Sequence, residues 1–174
     1  MGVLLNNLLS LIGGRYLDAR TLVEHARIEA QNHRFTYDES IRVEALTQSV
    51  CDLALGFGEG GKKGSMSRPF GVALLMAGVD DKGPALYFSD PSGTYLKYKA
   101  KAIGAGSEGA QATLQDKYKD DMTFNDAEDL AFEILKQVME EKVGNQNIEV
   151  ASLTSNGYHV YSTEELDTVI RRML

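Results

Sequence analysis

The chain has 174 residues, a formal charge of −7 and a single cysteine, which suits one domain able to bury a real core. The acidic balance argues against a nucleic-acid groove, since phosphate binding needs clustered Lys and Arg, and the pairs Lys62-Lys63 and Arg171-Arg172 read as solvated surface. One cysteine excludes an internal disulfide framework and fits a reducing compartment, and no run reaches the roughly 18 apolar residues of a membrane helix; no nucleic acid and no membrane is expected as a partner.

Residues 1–17, MGVLLNNLLSLIGGRYL, are an atypical opening. They lack the basic start and small-residue cleavage site of a secretory signal. Met1-Gly2 begins a myristoylation pattern, but Asn6 stands where that pattern wants Ser or Thr. The stretch reads as a short core strand or a frayed end. From Asp18 the period becomes helical. Ala19, Leu22, Val23, Ala26 and Ala30 share one face, while Arg20, Glu24, Arg27 and Gln31 turn outward. Asp18 is placed to cap the first turn. His25 and His33 have no setting of carboxylate and nucleophile and read as surface or packing residues. The segment His33–Asp38 reads as a break. A second helix is expected from near Ser40, burying Val43, Leu46, Val50, Leu53, Ala54 and Phe57. Cys51 falls inside that pattern and reads as a buried thiol. Gly56, Gly58, Gly60, Gly61 and Gly64 then mark a polar loop.

The stretch Arg68–Gly109 organises the remainder. Phe70–Val79 is a continuous apolar run, as in a strand covered on both faces. Asp80-Asp81-Lys82-Gly83 supplies a turn and Ala85–Ser89 returns. In Asp90-Pro91-Ser92-Gly93, Asp bonds the backbone, Pro presets φ and Gly relieves the last position. Thr94–Tyr98 and Lys101–Ile103 are expected to continue the sheet. Ser107 is placed to cap a helix reaching about Tyr118. Thr123 with Asp126 opens another in a capping box, with Ala127, Leu130, Ala131, Ile134, Leu135 and Val138 inward and Gly144 helping to end it. Ile148–Leu153 and Tyr158–Tyr161 read as a hairpin around Asn156-Gly157, a pair suited to positive φ. Ser162 with Glu165 caps a last helix carrying Leu166, Val169, Ile170 and Met173 on one face, and Arg171-Arg172 complement its dipole. The order is that of an α+β domain with antiparallel sheet, and the sheet is small for so many amphipathic helices.

The candidate chemistry is thin. Gly104-Ala105-Gly106-Ser107-Glu108-Gly109 matches GxGxxG between a strand and a helix, the basis of an alternative reading as a nucleotide-binding α/β enzyme using the loop Gly104–Gly109. That site needs a βαβ unit with an acidic residue closing its second strand. Here the next element is another helix, and Glu128 lies inside it. A packing turn explains the glycines. A nucleophile elbow at Ser107 would need Gly where Ala105 stands. Asp80-Asp81 and Asp120-Asp121 lack metal-ligand spacing and mark turns. No catalytic residue, cofactor site or metal site emerges.

Longer matches carry more. DARTLVEHARIEAQNH, VEALTQSVCDLALGFGEG, MSRPFGVALLMAGVD, DPSGTY, KAIGAGSEGAQATLQ, ILKQVMEEK and NIEVA stand in order from Asp18 nearly to the C-terminus. Together they resemble alpha-type subunits of the 20S proteasome, most closely the eukaryotic alpha type 5 group. The resemblance implies an α+β, Ntn-hydrolase-like four-layer α-β-β-α sandwich. It is expected to be incomplete because the N-terminal strands and helix are missing, with 1–17 as an atypical segment and 18–174 as a partial alpha-subunit domain.

The resemblance also implies a non-catalytic role, without cofactor or metal. Catalytic beta subunits use an N-terminal threonine, and such a nucleophile works only as the first residue. Here the chain opens Met1-Gly2, and its first threonine, Thr21, lies in a helical pattern. Alpha subunits form seven-membered rings against the beta rings, gate substrate entry and receive regulatory complexes. By resemblance the partners are neighbouring alpha subunits, beta subunits and regulatory complexes, the last weakened or lost here. The implied service is ubiquitin-dependent protein degradation in cytoplasm and nucleus. The first two helices would face the beta ring, making Arg20, Glu24 and Arg27 candidate subunit contacts. Gly14 would be a surviving rim residue of the activator pocket, although Arg15 replaces the family's leucine after it. Missing strands leave open edges and apolar faces, so the isolated chain is expected to be unstable or prone to aggregate.

Overall fold

A computed structural model describes residues 2–5, 8–14, 16–56, 70–139 and 144–172. It divides into one compact unit of Met1–Lys99 with Leu153–Tyr158 and another of Ala100–Ser152 with His159–Leu174.

In the first unit the opening segment forms two strands, β1 (Gly2–Leu5) and β2 (Leu8–Gly14), paired antiparallel. The single short strand expected there is thus a hairpin. β2 leads into helix α1 (Tyr16–Tyr37), followed by α2 (Val43–Leu55). Strands β3 (Val72–Asp80), β4 (Gly83–Ser89) and β5 (Tyr95–Tyr98) complete a five-stranded antiparallel sheet in sequence order. β2 pairs with β3 from Leu8↔Gly78 to Gly14↔Val72.

Alternation along the strands decides which side chains meet the helices. Val72, Leu74 and Met76 of β3 and Tyr87 of β4 bury together with Ala19, Leu22 and Ala26 of α1 and Val43, Leu46 and Val50 of α2. These are the positions that the helical period selects. At Asp90–Gly93 the turn forms as expected: Gly93 N–H donates to the Asp90 carbonyl at 3.1 Å, and Ser92 N–H donates to Asp90 Oδ1 at 2.8 Å. Gly93 has φ +82, and a Cβ there would lie 2.6 Å from Leu55 Cγ.

Three boundaries differ from expectation. Asp18 does not cap α1. It sits in the first turn, buried, where its Oδ2 accepts from Gly71 N at 3.0 Å. His33–Tyr37 does not break the helix, because aromatic and β-branched residues are weak helix formers without being helix breakers. His33 packs on Tyr37 at 4.7 Å, and the turn closes at Asp38 with φ +56. α2 starts at Val43 rather than near Ser40, since its cap comes from elsewhere in the chain. Asp80 Oδ2 accepts from Val43 N at 3.1 Å, and Arg42 donates to both Asp81 oxygens at 3.2 and 2.9 Å. The acidic pair at 80–81 marks a turn, as expected, and also clasps this helix end. The glycine loop beyond Gly56, Lys62-Lys63, and Phe57 lie outside the described residues.

The second unit holds α3 (Ser107–Lys117), α4 (Phe124–Val138) and α5 (Thr163–Arg172); between α4 and α5 in the chain, β6 (Ala151–Thr154) and β7 (Gly157–Val160) pair as a hairpin whose tip, Leu153–Tyr158, counts with the first unit. Lys101–Ile103 is not a strand. Its Ala102 N–H donates to Gln111 Oε1 at 3.2 Å instead of to a sheet ladder. Ser107 is the first helical residue of α3 rather than its cap, the cap position being Gly106 in the left-handed region.

α4 is buried on two sides. Leu130 and Ile134 pack with Ala110, while Phe132 packs with Ile148, Leu166 and Val169. The expectation of a single inward face therefore misses Phe132 and wrongly buries Ala127, Ala131 and Leu135, which are exposed. α4 ends at Met139, not Gly144, whose N–H donates to Asn147 Oδ1 at 2.8 Å. In the hairpin only Gly157 takes positive φ. Met173 lies outside the described residues. Arg172 is not merely solvated: it pairs with Glu128 at 2.7 Å and with Asp129. Tyr161 also donates to Glu128. Burial, then that carboxylate, pushes the Tyr161 phenol up to about 12.

Both capping boxes form. Thr123 N–H donates to Asp126 Oδ2 at 3.0 Å, and Asp126 N–H donates to Thr123 Oγ1 at 3.3 Å. Ser162 N–H donates to Glu165 Oε2 at 2.7 Å, and Glu165 N–H donates to Ser162 Oγ at 3.3 Å. Hydrogen bonds from Thr123 lower the Asp126 pKa, and the Ser162 backbone bond lowers that of Glu165. A depressed folded-state pKa contributes stability above the unfolded value that is lost as pH falls through the folded one. Acid titration below about pH 4 is expected to loosen α4 and α5, followed by circular dichroism. The double variant Asp126→Asn and Glu165→Gln should flatten that part of the stability–pH curve; an unchanged slope would refute the assignment.

Candidate functional site

Helix α1 presents the candidate contact residues because its inner positions are committed to the sheet. Ala19, Leu22, Val23 and Ala26 are buried, which turns Arg20, Glu24 and Arg27 outward, and all three are exposed. They lie one and two turns apart. Glu24 and Arg27 form an ion pair at 3.8 Å, too exposed to contribute much stability. Gly14 lies apart from them at the end of β2, opposite Val72.

The same outward surface carries apolar groups that the charge pattern does not reveal. Ile28 is 53 % exposed, Tyr37 65 % and Phe35 94 %. Ile28 follows Glu24 by one turn and Phe35 follows Ile28 by two, so they continue one stripe. A fully exposed phenylalanine beside charged residues is the composition of an interface anchor with a polar rim. The signal lies in His33–Asp38, the segment whose sequence suggests a break.

Between α1 and α2 runs an open groove of about 440 Å³ lined by His25, Glu29, Gln48, Ser49, Asp52 and Leu53. His25 Nε2 meets Ser49 Oγ at 3.1 Å, tying the helices together. His33 lies 3.7 Å from Glu39. Both histidines are half-buried, and His25, beside a hydroxyl in a groove that also holds Glu29 and Asp52, has polar neighbours that the sequence does not reveal.

Nucleophile candidates are set in unreactive surroundings. Thr21 lies in α1, so its nitrogen is a peptide nitrogen with no free amine to serve as base. Cys51 is buried, and loss of solvation pushes its thiol up to about 11, leaving almost no thiolate at neutral pH. The loop at Gly104 is built for packing. Gly104 and Gly106 have φ +102 and +74, and a Cβ on Gly106 would lie 2.4 Å from Val138 Cγ1. Among the described residues no group of three His, Cys, Asp or Glu side chains is arranged to hold a metal, and no helix is long and apolar enough to cross a membrane.

A family model for the proteasome subunit matches residues 4–153. The chain is 54 % identical over 171 residues to proteasome subunit alpha type-5 of Dictyostelium discoideum, covering 96 % of this chain and 71 % of that protein. It is 54 % identical over 164 residues to probable proteasome subunit alpha type-5 of Schizosaccharomyces pombe, covering 92 % and 66 %. It is 49 % identical over 166 residues to proteasome subunit alpha type-5 of Trypanosoma brucei brucei, covering 94 % and 68 %. The chain thus spans about two thirds of the length of these curated relatives.

Proposed function

Because the chain belongs to the proteasome subunit family, we propose that it acts as a structural member of the alpha ring of the 20S core particle, contributing to ubiquitin-dependent protein degradation. The sheet with α1 and α2 represents one β layer and one α layer of the Ntn-hydrolase-like sandwich. The observation that carries the reading is the match to alpha type-5 subunits over nearly the whole chain at about half identity. Nothing favours the nucleotide-binding alternative: the loop Gly104–Gly109 is occupied by its own packing on Val138.

The chain is a non-catalytic subunit of a threonine-type endopeptidase complex in this reading. Support comes from the helical setting of Thr21 and the solvent-starved Cys51 thiol. Its partners are neighbouring alpha subunits and beta subunits. Arg20, Glu24 and Arg27 provide contacts, and Ile28 and Phe35 lie on the same stripe. Docking of regulatory complexes is weakened or lost in this reading, Gly14 being the one surviving rim residue of their pocket, and the location is cytoplasm and nucleus.

The test is affinity purification of the tagged chain from its own cells, read by native mass spectrometry. Co-purification of alpha and beta subunits is expected. Reversing all three charges (Arg20→Glu, Glu24→Arg, Arg27→Glu) should lower their recovery roughly tenfold through like-charge juxtaposition with little change in thermal stability. Absence of the chain from intact particles would overturn the functional reading.

A further inference from the structure

The pair Asn156-Gly157 at the tip of the β6–β7 hairpin brings a reactive combination to the surface. Thr154, Ser155 and Asn156 are exposed. The Asn156 N–H donates to Thr154 Oγ1 at 3.2 Å, which holds its backbone, while its side-chain amide has no partner among the described residues. Gly157 follows with φ +117, and nothing lies within 4 Å of the place where a Cβ would stand. The Gly157 nitrogen is therefore shielded by no side chain of its own, and it is joined directly to the residue whose free amide it can attack.

The other described asparagines lack this combination. Asn32 lies within α1, where the following nitrogen is tied to a carbonyl four residues back. Asn125 lies in the first turn of α4, and the next N–H, that of Asp126, donates to Thr123 Oγ1. Asn145 Nδ2 donates to Asp167 Oδ1 at 2.8 Å, and Asn147 Oδ1 accepts from Gly144 N–H at 2.8 Å. The residues after these two, Gln146 and Ile148, carry side chains beside the nitrogen that would have to attack.

We propose that Asn156 is a site of spontaneous covalent modification. The Gly157 nitrogen gives its proton to solvent and attacks Asn156 Cγ. A carbon–nitrogen bond forms there, the bond from Cγ to Nδ2 breaks, and Nδ2 takes a proton from water and leaves as ammonia. The resulting five-membered succinimide adds water at either carbonyl, giving aspartate or isoaspartate. Water is the only co-reactant, and no oxidation or reduction occurs. Aspartate keeps the backbone as it was and adds a negative charge at the tip. Isoaspartate routes the chain through the side chain and adds one backbone atom, which upsets the turn that sets the register of β6 on β7.

The test is incubation of the full-length chain at neutral pH, followed by tryptic mapping with fragment-ion mass spectrometry. Cleavage after Lys142 and Arg171 leaves Asn145, Asn147 and Asn156 on one peptide, so the three are compared under identical conditions. Asn156 is expected to change from amide to acid at least about tenfold faster than the other two, within the roughly hundredfold that misplaced reacting atoms cost. Both isomers should form, separable by chromatography, and Asn156→Gln should leave that position unchanged because its ring would be six-membered. Equal conversion at the three asparagines, or aspartate as the sole product, would overturn the proposal. So would an Asn156 that stays intact over the time in which a free peptide of residues 154–159 converts.

Discussion

Met76→Ala is expected to lower the unfolding free energy by about 3 kcal/mol, within the range for deleting a large core side chain. Met76 is 2 % exposed at the middle of β3, between Ser10 of β2 and Tyr87 of β4. It lies in the cluster where both helices meet the sheet. The neighbours come from four separate elements, so the space it leaves closes poorly and most of the lost packing is not recovered. Leu96→Ala is the control, because Leu96 is 56 % exposed on the edge strand and should change stability by about 0.5 kcal/mol or less. Urea denaturation reads both, through a shifted midpoint at constant slope. A loss below about 1 kcal/mol for Met76→Ala would show that this cluster is not the core of the unit.

Gly106→Ala should cost about 3 kcal/mol in the second unit, from two separable sources. At φ +74 a side chain is strained, by about 1–2 kcal/mol. The added Cβ would also meet Val138 Cγ1 at 2.4 Å, so the Val138 side chain or the end of α4 that carries it must move. Gly104→Ala separates the two. Its φ is +102 with nothing within 4 Å of the added atom, so only the backbone cost of about 1–2 kcal/mol remains. Combining Gly106→Ala with Val138→Ala should recover the steric part and leave the conformational part, a coupling that a double-mutant cycle measures. Equal losses for Gly104→Ala and Gly106→Ala, with no coupling to Val138, would mean that the loop is not a packing turn. The result matters for function because the same glycines are what suggest a phosphate loop.

Features completed within four or five residues are legible in the sequence. The two capping boxes close between residues three apart, Thr123 with Asp126 and Ser162 with Glu165, so their chemistry is complete locally. The turn at Asp90–Gly93 and the buried face of α1 are of the same kind. At the candidate interface, the outward position of Arg20, Glu24 and Arg27 follows from the helical period alone. The apolar part of that face does not, because Phe35 and Tyr37 look like departures from the period rather than its continuation on the exposed side.

The sequence by itself determined the α+β class, the non-disulfide character, the order of most elements and, through long ordered matches, the family. Those properties depend on composition, on periods of two and 3.6 residues, and on short motifs. Tertiary structure alone decided where α2 begins, because its first N–H is satisfied by Asp80, 37 residues away. It gave Asp18 a partner in Gly71 instead of a capping role. It buried α4 on two sides and drew Arg172 onto Glu128. In each case a hydrogen-bonding or apolar group had a local solution and took a distant one. Burial against another element satisfies the group while removing apolar surface from water, and a local window contains only the first of these gains.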